Sequence, residues 1–155
     1  MQLVSDHREA MAHHDPVGVR RDTKLDVKLV LAGLWISMLF VFACVYMFTF
    51  WRADAINGAL QHKVPDAGFT INQGFLAFTT AYVLVPILMI AASLLTPARW
   101  NRPANLVVGA VYLASIIVNV IGESWAYFVI GSIVEIALLL AIVWVAWTWP
   151  RQRAE

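Results

Sequence analysis

Four long stretches that are almost free of charge limit this chain's fold more than any other feature. Residues 29–51, 75–95 and 106–121 contain no Asp, Glu, Lys or Arg, and residues 125–149 contain one, Glu135. A helix needs about 20 apolar residues to cross the ~30 Å hydrocarbon core of a bilayer. The third stretch is short, and Ala104, Asn105 and Gly122 extend it to residues 104–122. None of the four alternates in polarity as a barrel strand does. The expected fold is all-α: a polytopic membrane protein whose four transmembrane helices form an up-down-up-down bundle.

The boundaries carry stop and start chemistry. Thr96-Pro97 ends the second helix. Pro103 suits the first position of the third, where its missing N–H costs nothing. Gly122-Glu123-Ser124 is a turn short enough to make the last two helices an antiparallel hairpin. Pro86 stands mid-helix and is expected to kink the second helix. Residues 54–61 read as a short surface helix, and residues 64–68 as a turn. Trp51, Trp100, Trp125, Trp147 and Trp149 fall at the expected interfaces, where amphipathic rings prefer the headgroups.

Positive charge sets the orientation. Arg8, Arg20, Arg21, Lys24, Lys28, Arg99, Arg102, Arg151 and Arg153 fall on one side, against Arg52 and Lys63 on the other. Both termini are expected in the cytoplasm and the protein in a bacterial cytoplasmic membrane. Residues 1–24 read as a mobile cytoplasmic arm, residues 25–151 as the membrane domain and residues 152–155 as a short tail. The first stretch is too long for a cleavable signal peptide.

Composition narrows the chemistry. The chain is 61% hydrophobic and 14% charged, where soluble domains carry roughly 25% charged residues. A net charge of +1 argues against a nucleic-acid partner. Membrane lipids, further copies of the chain or a larger membrane complex are the expected partners. One cysteine, Cys44, excludes an internal disulfide and a multi-cysteine zinc site. Cys44 itself reads as a small buried hydrophobe. His7, His13, His14 and His62 lie outside the apolar stretches, so no pair of them holds a haem within the bilayer. His7, His13, His14 and Asp15 read as a solvated tail rather than a metal site. No cofactor, metal or catalytic set is expected.

Polar residues inside the membrane are the candidates for function. Glu135 lies about 15 Å deep, ten residues past Trp125 at 1.5 Å per residue. A carboxyl there is expected to face protein or a water-filled cavity, since lipid offers it no partner. Equal depth across the hairpin puts it level with Tyr112. Gly109, Tyr112, Ser115, Asn119 and Gly122 form one stripe of the third helix, and Ser124, Phe128, Gly131 and Glu135 one of the fourth. The two stripes are expected to face each other. Weaker stripes are Gly33, Ser37 and Cys44 on the first helix, and Thr79, Tyr82 and Pro86 on the second.

Two readings of Glu135 stand side by side. It is a proton or cation site, or it is a protonated carboxyl that fixes packing through Tyr112 or a backbone carbonyl. Ser115 and Asn119 complete the candidate polar site. Outside the membrane, Asp54 and Glu123 form a candidate acidic cluster, with His62 and Asp66 as possible neighbours in a cation set.

The segment Arg-Trp-Asn-Arg-Pro-Ala-Asn-Leu-Val-Val-Gly at residues 99–109 resembles a loop in a family of small uncharacterised bacterial four-helix membrane proteins. So do Lys24-Leu25-Asp26-Val27-Lys28, Asp54, Glu135 and the ending at residues 146–151. The resemblance covers residues 24–151. It implies the four-helix topology and no activity, and it makes Glu135, Asn105 and Asp54 the first positions to test. The function expected is that of a non-enzymatic accessory or interaction subunit. The alternatives are a small oligomeric transporter or channel subunit that uses Glu135 for coupling, and a lipid- or quinone-binding enzyme.

Overall fold

The computed structural model describes residues 25–64 and 68–149. Among the described residues five helices follow one another: α1 (Val27–Thr49), α2 (Ala53–Leu60), α3 (Gln73–Leu95), α4 (Ala98–Val120) and α5 (Ala126–Thr148). The four long helices have 23 residues each. At 1.5 Å per residue each is about 34 Å long, enough to span the hydrocarbon core. With their apolar composition they make the chain a multi-pass membrane protein. No strand forms among the described residues, only an isolated Lys63–Thr70 bridge.

Local chemistry fixes the helix ends. Asp26 caps α1 by accepting from the Lys28 N–H at 2.8 Å, and Asn72 caps α3 by accepting from the Phe75 N–H at 2.9 Å. The final carbonyls of a helix lack partners within it, and basic side chains reach them here. Lys28 Nζ donates to the Thr96 carbonyl at 2.8 Å, just past α3, and Arg102 donates to the Trp147 carbonyl near the end of α5 at 3.0 Å. These bonds bring the start of α1 to the end of α3, and the start of α4 to the end of α5. At the opposite end of the bundle, Gly122 turns the chain at φ 85°. There the Glu123 carboxylate accepts from the Ser124 and Trp125 N–H groups ahead of α5.

The helices pack around one core. α5 lies against α4 and α1, α1 against α3, and the α3–α4 contact is the slightest of the four. Leu31, Trp35 and Met38 of α1 meet Met89 of α3, Ile116 of α4, and Leu139, Ile142 and Ala146 of α5. Phe40, Leu88, Val107 and Trp144 are exposed on the outer faces. This large apolar exterior is what lipid covers.

Several expectations need correction. α4 begins at Ala98, with Pro97 as its cap, so Pro103 lies inside the helix and not at its first position. Only the Arg99 carbonyl loses its helical donor there, close to the helix start, and the helix continues. Pro86, where a kink is expected, does not interrupt α3, which continues as one helix from Gln73 to Leu95. Cys44 is exposed, and Gly33 has open space around it. The buried face of α1 is instead Leu31, Ala32, Trp35, Met38 and Val45. In a helix apolar on every side, polarity does not mark the inward face.

Candidate functional site

Pro86 organises the middle of the bundle. It has no N–H, so the carbonyl four residues earlier, that of Tyr82, loses its helical donor. The Tyr112 hydroxyl of α4 donates to that carbonyl. The two rings stack with centroids 4.7 Å apart. The Tyr82 hydroxyl in turn shares a 2.6 Å hydrogen bond with Ser115. A bond across the helix contact thus satisfies the group that proline frees, as a membrane interior requires. Tyr112 therefore answers Pro86, and not Glu135 as equal depth across the hairpin suggested.

Glu135 is 4% exposed, and its Oε1 atom is buried without a hydrogen-bond partner. It lines an internal cavity of about 40 Å³ whose other polar walls are Tyr46, Tyr82, Asn119 and Ser132. The cavity lies between Glu135 and the end of the bundle that carries the α4–α5 turn. Asn119 and Tyr46, near that end, are exposed. Asn119 donates to the Ser115 carbonyl of its own helix at 2.8 Å.

The small residues distribute themselves differently from the two facing stripes. A Cβ at Gly109 would come within 3.0 Å of Val143 Cγ2, so Gly109 does face α5. A Cβ at Gly131 would come within 2.2 Å of Val45 Cγ2, so Gly131 seats α5 on α1 rather than on α4. Ser115 turns toward α3 through Tyr82.

A second polar group, toward the other end, joins three helices. Trp35 Nε1 donates to Asn105 Oδ1 at 2.7 Å, and Asn105 Nδ2 donates to Asn101 Oδ1 at 2.6 Å. Asn101 Nδ2 donates to the Ser93 carbonyl at 2.6 Å, one of the orphan carbonyls closing α3. All four residues are fully buried. Asn105 stood out in the sequence. Trp35, Ser93 and Asn101 did not, although Asn101 and Asn105 are spaced i, i+4, which places both on one face.

Outside the spans, Arg52 gathers the acidic pair. Its Nε donates to Asp54 Oδ1 at 3.1 Å, its Nη1 lies 3.6 Å from Glu123 Oε2, and its guanidinium stacks 4.5 Å over the Trp125 ring. The bond to Asp54 raises the Arg52 pKa, and the same bond holds the Asp54 carboxyl below the usual carboxylate range. Asp54 and Glu123 thus meet through a cation the protein itself supplies. Among the described residues no three His, Cys, Asp or Glu side chains gather to hold a metal ion. Asp66 lies outside the described residues, as do His7, His13, His14, Asp15 and the basic residues flanking the membrane domain at 8–24 and 151–153.

A family model described as a family of unknown function, DUF6326, matches residues 22–155. The chain belongs to this family. No curated protein and no solved structure matches it. DUF6326 is a family without a described activity, as the resemblance over residues 24–151 implied. The membership adds no catalytic residue to the site.

Proposed function

We propose that this DUF6326 member is a small membrane transport or channel subunit in which Glu135 takes up and releases a proton. The observation that carries this reading is the buried, unpartnered Oε1 atom of Glu135 beside a polar-walled cavity. A carboxyl kept only for packing would use its oxygens on neighbours, since an unsatisfied buried polar group costs about 1–3 kcal/mol. Here the obvious neighbour, Tyr112, is bonded to the Tyr82 carbonyl instead. The cavity's volume of about 40 Å³ suits a few waters and a proton, and excludes an organic solute. The distribution of positive charge favours an orientation with both termini in the cytoplasm.

Proteoliposomes under a pH gradient test the reading. The wild-type protein should carry proton-coupled flux, and Glu135→Gln should abolish it while retaining helical circular dichroism. Unchanged flux in Glu135→Gln overturns the proposal.

A second reading, an accessory subunit of a larger assembly, is favoured by the same small volume. One copy encloses too little space to pass a solute, so further copies or a partner would complete a pathway. Native mass spectrometry in mild detergent separates the two readings. A monomer with full flux rules out the need for an assembly.

A further inference from the structure

The inner face of α5 changes character at Glu135. Toward the α4–α5 turn it presents Ser132, a wall of the cavity that Glu135 also lines. In the opposite direction it presents Leu139, Ile142 and Ala146, each completely buried. Those three sit in a layer with Leu31 and Trp35 of α1. Trp35 is in turn bonded into the Asn105–Asn101–Ser93 group, which is closed to solvent. One side of Glu135 is polar, and two residues that line its cavity, Tyr46 and Asn119, are exposed. The other side is dry for about three helical turns.

Depth supports the same asymmetry. Glu135 lies nine residues from Ala126 and thirteen from Thr148, or about 14 Å and about 20 Å along the axis. Tyr46 and Asn119 are exposed within about one turn of the ends of α1 and α4, at the level expected for headgroups and water. Hydration needs room for a water and two to four polar partners. The cavity has about 40 Å³, and the polar residues Glu135, Ser132, Tyr46 and Asn119 line it. Sideways, toward the slight α3–α4 contact, Tyr82 stands between the cavity and a groove of about 340 Å³ that is lined almost wholly by apolar side chains.

We propose that this cavity is a hydrated vestibule through which Glu135 exchanges protons with one side of the membrane only, the side of the α4–α5 turn. The layer from Leu139 to the Trp35–Asn105 group seals the other side. This inference rests on the reading of Glu135 as a proton site and adds the direction of access. The titratable groups that share the cavity are Tyr46 of α1 and Tyr82 of α3, with Tyr112 of α4 behind Tyr82. Arg52, Asp54 and Glu123 lie beyond the mouth, at the turn end of the bundle.

Thiol accessibility tests the path, in a Cys44→Ala background. Asn119→Cys, Ser132→Cys and Leu139→Cys are treated in membrane vesicles of each orientation with a membrane-impermeant methanethiosulfonate reagent. Asn119→Cys and Ser132→Cys should react from the turn side only, and Leu139→Cys from neither side. Labelling of Ser132→Cys from the opposite side, or of neither cavity position from the turn side, overturns the vestibule. Infrared spectroscopy of the unsubstituted chain gives a measurement free of folding effects. The Glu135 carboxyl band, assigned by its loss in Glu135→Gln, should follow the pH of the turn side alone. A band that follows pH from both sides overturns one-sided access and leaves the proton site standing. A band that follows pH from neither side overturns the proton site, while the thiol pattern still decides the path.

Discussion

Tyr112 shows how one residue's role depends on a gap made elsewhere. Pro86 leaves the Tyr82 carbonyl without its helical donor, and the Tyr112 hydroxyl fills the vacancy. Tyr112→Phe should therefore destabilise the protein by about 1 kcal/mol, toward the upper part of the range for hydrogen bonds inside membranes. In a Pro86→Ala background the helix supplies its own donor, and the same substitution should cost almost nothing. A double-mutant cycle in a detergent-unfolding assay measures this coupling; equal costs in both backgrounds would show that the bond answers something other than the proline. Asn105 is the other residue with several dependants. Asn105→Leu strands Trp35 Nε1 and one oxygen of Asn101 in a closed interior. It should destabilise by about 1–3 kcal/mol, against a negligible loss for Asn119→Leu at the exposed edge of α4. Glu135, Pro86 and Asn105 were each conspicuous in the sequence, because a polar or helix-breaking residue stands out against an apolar run. What each of them meets was not: Glu135 Oε1 has no partner, Tyr112 answers Pro86 through a backbone carbonyl that leaves no mark on residue identity, and Trp35 bonds Asn105 from a different helix.

At the scale of elements, the apolar runs disclosed the four spans and their order, and a polar segment after the first run disclosed the short helix α2. Their faces were harder to read. The mean composition around each span is apolar, so inward and outward sides differ little, and small residues mark close approach without naming the helix approached. Gly131 illustrates this by contacting α1 through Val45. Gly131→Ala should destabilise by about 1–3 kcal/mol through overpacking, and Val45→Ala should recover most of the loss. Failure of that rescue in the same unfolding assay would place the contact elsewhere. α2 is anchored by Arg52, whose bond holds the Asp54 carboxyl below its ordinary range. A depressed carboxyl contributes stability that is present above the unfolded-state pKa and lost as pH falls through the folded one. The NMR resonance of the Arg52 Nε–H should thus keep its paired position until pH drops below the usual carboxylate range, and Asp54→Asn should remove the transition. A midpoint inside the ordinary range would show that the pair does not hold α2.

The whole molecule joins an asymmetry of charge to an asymmetry of its interior. In sequence, nine of the eleven Lys and Arg residues precede α1 or stand in its first turn, stand in the first turns of α4, or follow α5, and two, Arg52 and Lys63, stand between α1 and α3. The positive-inside rule counts Lys and Arg in short flanking segments and gives little weight to Asp and Glu. Pairing of Arg52 with acids therefore leaves the tally unchanged. The charge-rich end should face the cytoplasm, and the turn end, toward which the Glu135 cavity lies, should face outward. In the interior, the apolar layer of Leu139, Ile142 and Ala146 lies toward the charge-rich end, and the polar-walled cavity toward the turn. A reporter fused after residue 155 should then be active in its cytoplasmic form, and one inserted at residue 65 in its external form. In intact cells, acidifying the medium should protonate Glu135 before the cytoplasm acidifies. Reporters with the opposite pattern would reverse the orientation, so that Glu135 met cytoplasmic pH instead, while leaving the bundle and its single open side as they are.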